Sequence, residues 1–250
     1  MSSSSPTIPE EILEYTSLGA VRHARMRSPL SEQAVQGTVA LCTGSIMIGL
    51  DTSCPMMLGL EDLADELESA LLDEQFAVVR PLDVGKDHST EELVITANDF
   101  LDAAFQDATR QSAIGFSAAA PLMMVASTER ELNSMVLVAP PILETFSNHP
   151  ERVEHALIDQ LGLDAETAAN IGALEPMSRS AESTSSALLI HGAADSIVSS
   201  DDSIGWRASM AAAGIQARRI EIAFAEHDLS PEPCRKIAID EIVTFVANNT

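Results

Sequence analysis

Short apolar runs alternate with amphipathic stretches from about residue 37 to the end of the sequence, and this alternation restricts the fold more than any other feature. Strands buried on both faces of a parallel sheet read as continuous apolar runs, whereas the helices that cover them repeat their apolar residues about every 3.6 positions. The segments GTVALCT (37–43), FAVVRPL (76–82), SAIGF (112–116), SMVLVA (134–139), ALLIH (187–191) and RRIEIAF (218–224) have strand character. Between them, Leu60, Leu63, Ala64, Leu67, Ala70 and Leu71 recur at helical spacing with acidic residues on the opposite face, and Leu93, Ala97, Phe100, Leu101, Ala104 and Ala108 do the same. Strands joined through helices pair in parallel, so the expected fold class is α/β: a mostly parallel central sheet with helices on both faces.

The flanks complete this plan. EILEYTS and AVRHARMRS, separated by Leu18-Gly19, read as an edge hairpin, and residues 1–10 read as a disordered leader with no secretion signal. Residues 11–250 then form a single domain, since 250 residues with 46% hydrophobic content supply one sizeable core. The stretch 142–186 breaks the alternation with two helix-like pieces, 153–161 and 165–174, followed by a Ser/Thr-rich linker, and reads as a short helical cap insertion. Ser199 or Ser200 is placed to cap a helix that opens with Asp201 and Asp202 and stops at Gly214, with Trp206 packing on the sheet. A last helix follows Pro231 and Pro233, with Ala238, Ile242, Phe245 and Val246 facing inward.

A formal net charge of −24 repels phosphate backbones and anionic lipid surfaces, which disfavours nucleic acid as a partner. Cys42, Cys54 and Cys234 are odd in number and form neither a disulfide framework nor a ligand set; a cytoplasmic location is expected. No apolar run reaches the roughly 18 residues of a membrane span. His88 beside Asp87, and His191 four residues before Asp195, lack a metal-ligand spacing, so no metal and no other cofactor is expected. A homodimer stays open.

Three residues carry candidate chemistry. Ser117 lies in Gly115-Phe116-Ser117-Ala118-Ala119 after an apolar run, Asp195 ends LLIHGAAD, and His227 lies in AFAEHDL. A serine hydroxyl attacks a carbonyl only when a base takes its proton and an acid orients that base, and each of the three follows an expected strand.

The chain resembles the α/β-hydrolase superfamily over nearly its whole length after the leader. GFSAA resembles the nucleophile elbow, with Ala119 where glycine is usual; LLIHGAADSIV resembles the acid-bearing strand and loop; FAEHDL resembles the histidine loop; and the order Ser, Asp, His is the superfamily's. FAVVRPLDVGKDHS (76–89) resembles the strand and loop before the elbow helix, with Asp83, Gly85 and Ser89 at loop-shaping positions and no catalytic role. The resemblance implies Ser117 as nucleophile, His227 as base and Asp195 as acid, with the backbone N–H groups of Ala118 and Ser45 as oxyanion donors. Thr43-Gly44-Ser45 then stands where many members carry His-Gly before the donor. The activity implied is cleavage of a carboxylic ester or thioester of a small-molecule acyl substrate through an acyl-enzyme. An acyltransferase, a peptidase with the same triad, and a non-catalytic binding protein remain open.

Overall fold

The computed structural model describes residues 8–30, 34–47, 55–83, 90–142 and 186–249. Within them lie strands β1 (Glu10–Ser17), β2 (Ala20–Arg27), β3 (Gly37–Cys42), β4 (Phe76–Pro81), β5 (Gln111–Phe116), β6 (Ser134–Val138), β7 (Ser186–Gly192) and β8 (Ala217–Ile222). The helices are α1 (Gly44–Met47), α2 (Pro55–Asp73), α3 (Thr90–Phe105), α4 (Ala119–Ala126), α5 (Ser200–Ala212) and α6 (Glu232–Asn248). The strands form one sheet in the order β1-β2-β4-β3-β5-β6-β7-β8. Its first two pairings, β1 with β2 and β2 with β4, are antiparallel, and the rest are parallel. The expected hairpin is therefore the edge of the sheet, turned at Leu18 and Gly19, both of which have positive φ.

Strand β1 begins at Glu10, the last residue of the expected leader. Glu10 already pairs with Arg27, and the Ser28 N–H donates to Pro9 O at 3.1 Å, because β2 presents a full edge for the incoming strand. Residues 1–7 of that leader, and 143–185 of the expected cap, lie outside the described residues.

Period-two alternation sorts each parallel strand into two cores. Val39, Leu41, Ile114, Phe116, Val136, Val138, Leu188 and Ile190 meet Leu60, Leu63 and Leu67 of α2 and Ile242 and Val246 of α6 on one face. Ala40, Ala113, Met135, Leu137 and Leu189 meet Phe100 of α3, Met123 of α4 and Trp206 and Met210 of α5 on the other. The acidic face of α2 is not wholly solvated. Glu68 is 2% exposed and receives Arg25 of β2 at 2.8 Å and Arg80 of β4 at 3.1 Å. Burial on that scale requires paired charge, and Arg80 answers it while also binding Asp65 and Glu61.

Helix α5 begins as its sequence indicates, with the Ser199 hydroxyl accepting from Asp201 N–H. It also grips the start of the 142–186 stretch. Trp206 Nε1–H donates to Pro141 O at 3.0 Å, and Asp202 accepts the Ile142 N–H at 3.0 Å.

Strand β8 ends at Ile222, two residues sooner than expected, because Phe224 turns into the left-handed region at φ 64 with its side chain 84% exposed. A phenylalanine there has its Cβ crowded against its own carbonyl and gains almost no burial in return. Phe224→Asn, which tolerates that backbone region, is expected to raise stability by about 0.5–1 kcal/mol in urea unfolding.

Candidate active site

Ser117 follows the last residue of β5 and precedes α4. Its φ is 52, and its N–H donates to Val138 O of the neighbouring strand at 2.8 Å. This sharp reversal depends on small neighbours. A Cβ on Gly115 would lie 2.6 Å from Ala120 Cα and 2.9 Å from Ala120 N, so β5 and α4 approach with no room for a methyl between them. Ala119, which stands where glycine is usual, is fully buried, its methyl packed into the core on the α3–α4–α5 face.

The other two residues arrive on the loops after β7 and β8. His227 Nε2 is 2.9 Å from Ser117 Oγ, and His227 Nδ1 is 2.8 Å from Asp195 Oδ2. The carboxylate accepts only, so Nδ1 carries the hydrogen and Nε2 is left to accept from the serine hydroxyl. Ser117 is 7% exposed and His227 2%, which shields the chain of hydrogen bonds from bulk water. Asp195 Oδ1 accepts the N–H groups of Ile197 and Val198, both at 2.9 Å.

Burial alone would raise the Asp195 pKa. The electrostatic pull of His227, hydrogen bonds from His191 and His227, and the Val198 N–H outweigh it and hold the carboxyl well below the usual carboxylate range. A depressed folded-state pKa contributes stability that is present above the unfolded value and is lost as pH falls through the folded one. Asp195→Asn is thus expected to lower the urea midpoint at neutral pH, and its gap from the unsubstituted protein should close as pH is taken from about 4 toward 2. A gap independent of pH would show that the charge contributes nothing.

The loop after His227 is pinned from below. Arg235 of α6 donates to Asp228 Oδ2 at 2.6 Å, to Asp228 O at 3.2 Å and to Gly59 O of α2 at 3.2 Å. On the other side of the serine, Gly44 lies against the elbow: a Cβ there would come 3.1 Å from Ala118 N and 3.3 Å from Phe116 O. Thr43 Oγ1–H donates to Glu61 Oε1 at 2.5 Å, and Glu61 is in turn held by Arg80 at 2.7 Å. Ser45 follows in α1, whose backbone begins beside the elbow, and Ala118 caps α4, where N–H groups have no partner one turn back.

Parallel strands on both sides of β5, a serine in a left-handed strand-to-helix turn, and an aspartate and a histidine after β7 and β8 define the architecture. This chain has the α/β-hydrolase fold. Est1E from Butyrivibrio proteoclasticus superposes with a TM-score of 0.71 at 13% identity, over 95% of this chain and 98% of that one. A putative dienelactone hydrolase from Klebsiella pneumoniae subsp. pneumoniae gives 0.67 at 14% identity, over 97% and 99%. A puromycin-hydrolyzing peptidase from Mycobacterium tuberculosis gives 0.72 at 15% identity, over 98% of this chain and 41% of that one. No protein-family model matches the sequence, and no curated protein matches it. Within the hydrolase fold, Ser117, Asp195 and His227 all lie beyond the C-terminal ends of parallel strands, where such sheets bind their ligands.

Two groups near the site escaped the sequence reading. His191, weighed there only as a metal ligand, is fully buried, with Nε2 3.0 Å from Val198 O and 3.2 Å from Asp195 Oδ2. Its signal was position: the last apolar-facing residue of a buried strand, four before the acid. The Thr43–Glu61–Arg80 chain joins the loop after β3 to α2 and β4 and has no local signature. His88, Gly85 and Ser89 lie outside the described residues; Asp83 accepts from His23 Nδ1 at 3.1 Å.

Among the described residues no helix is long and apolar enough to cross a membrane.

Proposed function

We propose that the protein is a serine hydrolase that cleaves a carboxylic ester or thioester of a small-molecule acyl substrate through an acyl-enzyme. The observation that carries this reading is the 2.9 Å contact between Ser117 Oγ and His227 Nε2, at a serine held in the left-handed region at φ 52. In the first half-reaction Ser117 Oγ bonds to the substrate carbonyl carbon while its proton passes to His227 Nε2. The negative charge that develops on the carbonyl oxygen is met by the N–H groups of Ala118 and Ser45. His227 returns the proton to the departing alcohol or thiol as the scissile bond breaks, leaving the acyl group on Ser117. Water then gives a proton to the same nitrogen and attacks the acyl carbon; the bond from that carbon to Ser117 Oγ breaks, His227 returns the proton to Oγ, and the acid departs. Asp195 keeps the Nδ1–H tautomer throughout.

The neighbours support an acyl substrate. They include Est1E, known also with ferulic acid bound, and a truncated carbohydrate esterase from gut microbiota. The peptidases among them support a second reading in which the same acyl-enzyme forms from an amide. The buried free thiols Cys42 and Cys234 and the net charge of −24 are compatible with a cytoplasmic protein that does not bind nucleic acid.

A fluorophosphonate probe is expected to label the protein once, on the peptide containing Ser117, and to leave Ser117→Ala unlabelled. Absence of labelling in the unsubstituted protein would defeat the reading. Short and long acyl p-nitrophenyl esters, acyl thioesters and peptide amides then rank the substrate class.

A further inference from the structure

We propose that His191 is a positioning residue for the acid of the site, forming a second imidazole-to-carboxylate hydrogen bond that aims Asp195 at His227. Nε2 of His191 faces two acceptors, Val198 O at 3.0 Å and Asp195 Oδ2 at 3.2 Å, so it carries the ring hydrogen and shares it between them. Nδ1 has no partner among the described residues and is fully enclosed. A histidine retained there with one nitrogen unsatisfied gives up hydrogen bonding that an apolar residue would not need, which directs attention to what the other nitrogen does.

The carboxylate of Asp195 is saturated as a result. Oδ1 takes the two N–H groups of Ile197 and Val198, while Oδ2 takes His191 Nε2–H and His227 Nδ1–H. With His191 removed, Oδ2 keeps one donor and gains a buried empty acceptor site, and only the backbone hydrogen bonds resist rotation of the carboxylate. The second bond, to Val198 O, ties the ring to the same turn that supplies the Oδ1 donors, so His191 fixes both the carboxylate and its loop. A purely packing role would need neither contact.

The inference rests on the hydrolase reading and is tested so that the two can fail separately. The variants are His191→Leu, His191→Gln, whose amide nitrogen reaches the Nε2 position, and His191→Asn, whose amide reaches only the Nδ1 position. His191→Leu and His191→Asn are expected to lower kcat by about 10–100-fold with KM changed less than about twofold, and His191→Gln to recover to within about threefold of the unsubstituted enzyme. Proton NMR supplies a readout independent of turnover. The downfield His227 Nδ1–H resonance should shift or broaden in His191→Leu and return in His191→Gln. If His191→Leu fails to fold, the contrast between glutamine and asparagine decides. Equal kcat and an unmoved resonance across the variants of a probe-labelled protein would overturn the proposal; an unlabelled parent would overturn the hydrolase reading instead, with the NMR comparison still judging the hydrogen bond.

Discussion

Ser117→Ala is expected to lower kcat on the best ester substrate by about 10⁴-fold or more, and His227→Ala to do nearly the same. The two effects should not add. With the nucleophile gone the base has no proton to take, and with the base gone the hydroxyl stays protonated. The double variant is therefore expected to fall within about tenfold of either single one. Under the proposed mechanism, residual turnover is expected from water attacking in place of the serine while the N–H groups of Ala118 and Ser45 meet the developing charge on the carbonyl oxygen. The fold should tolerate the change at Ser117, because alanine accepts the same φ of 52 no worse than serine does and no core atom is lost. Matching urea midpoints for Ser117→Ala and the parent would assign the kinetic loss to chemistry. A double variant far slower than either single one would mean that the residues act independently, contrary to a triad.

Gly192→Ala is expected to combine a loss of about 2–3 kcal/mol in stability with a fall in kcat of about 100-fold or more. A Cβ at this position would collide with Ala225 O and approach Glu226 O at 2.6 Å and the Ala225 carbonyl carbon at 2.7 Å. All are backbone atoms, so no side chain can swing away to make space. The colliding segments are the end of β7, which leads to Asp195, and the turn that leads to His227. Ala194 N–H donates to Ala225 O at 2.9 Å and Ala193 N–H to Ile222 O at 2.9 Å, so the two loops separate only by breaking these bonds. Separation lengthens the 2.8 Å contact between Asp195 and His227, and the imidazole loses its orientation. Urea unfolding together with kcat measured on one preparation checks both halves; unchanged kcat would show that the loops move as a unit.

The central sheet was legible because β3 to β7 are buried on both faces and so wrote themselves as unbroken apolar runs, in contrast to the amphipathic α2 and α3. The three site residues were legible for a related reason: each stands just past such a run. Glu68 shows where that logic stops. On α2 it looks like one more solvated carboxylate, and only the arrangement of β2 and β4 beside it brings Arg25 and Arg80 to its oxygens. Thr43 is similar, since its hydroxyl acquires a purpose only from Glu61 in α2. His191 was visible at its spacing from Asp195, but a pattern built on metal ligands could not recognise an imidazole that serves a carboxylate. Phe224 contradicted strand propensity because the chain must leave β8 early for His227 to reach back to the elbow.

The contact between Ser117 and His227 spans 110 residues of chain, with β6, β7, β8 and the whole 142–186 stretch between them. During synthesis the serine therefore leaves the ribosome long before its base exists. At ordinary elongation rates the interval is about 5–20 s, enough for β3, β4, β5 and β6 to pair while the hydroxyl remains as inert as any other alcohol. Nascent and truncated chains that end before His227 carry the Ser117 turn without this hydrogen bond. The hydrogen bond between Ser117 and His227 thus forms only after β8 has joined the sheet.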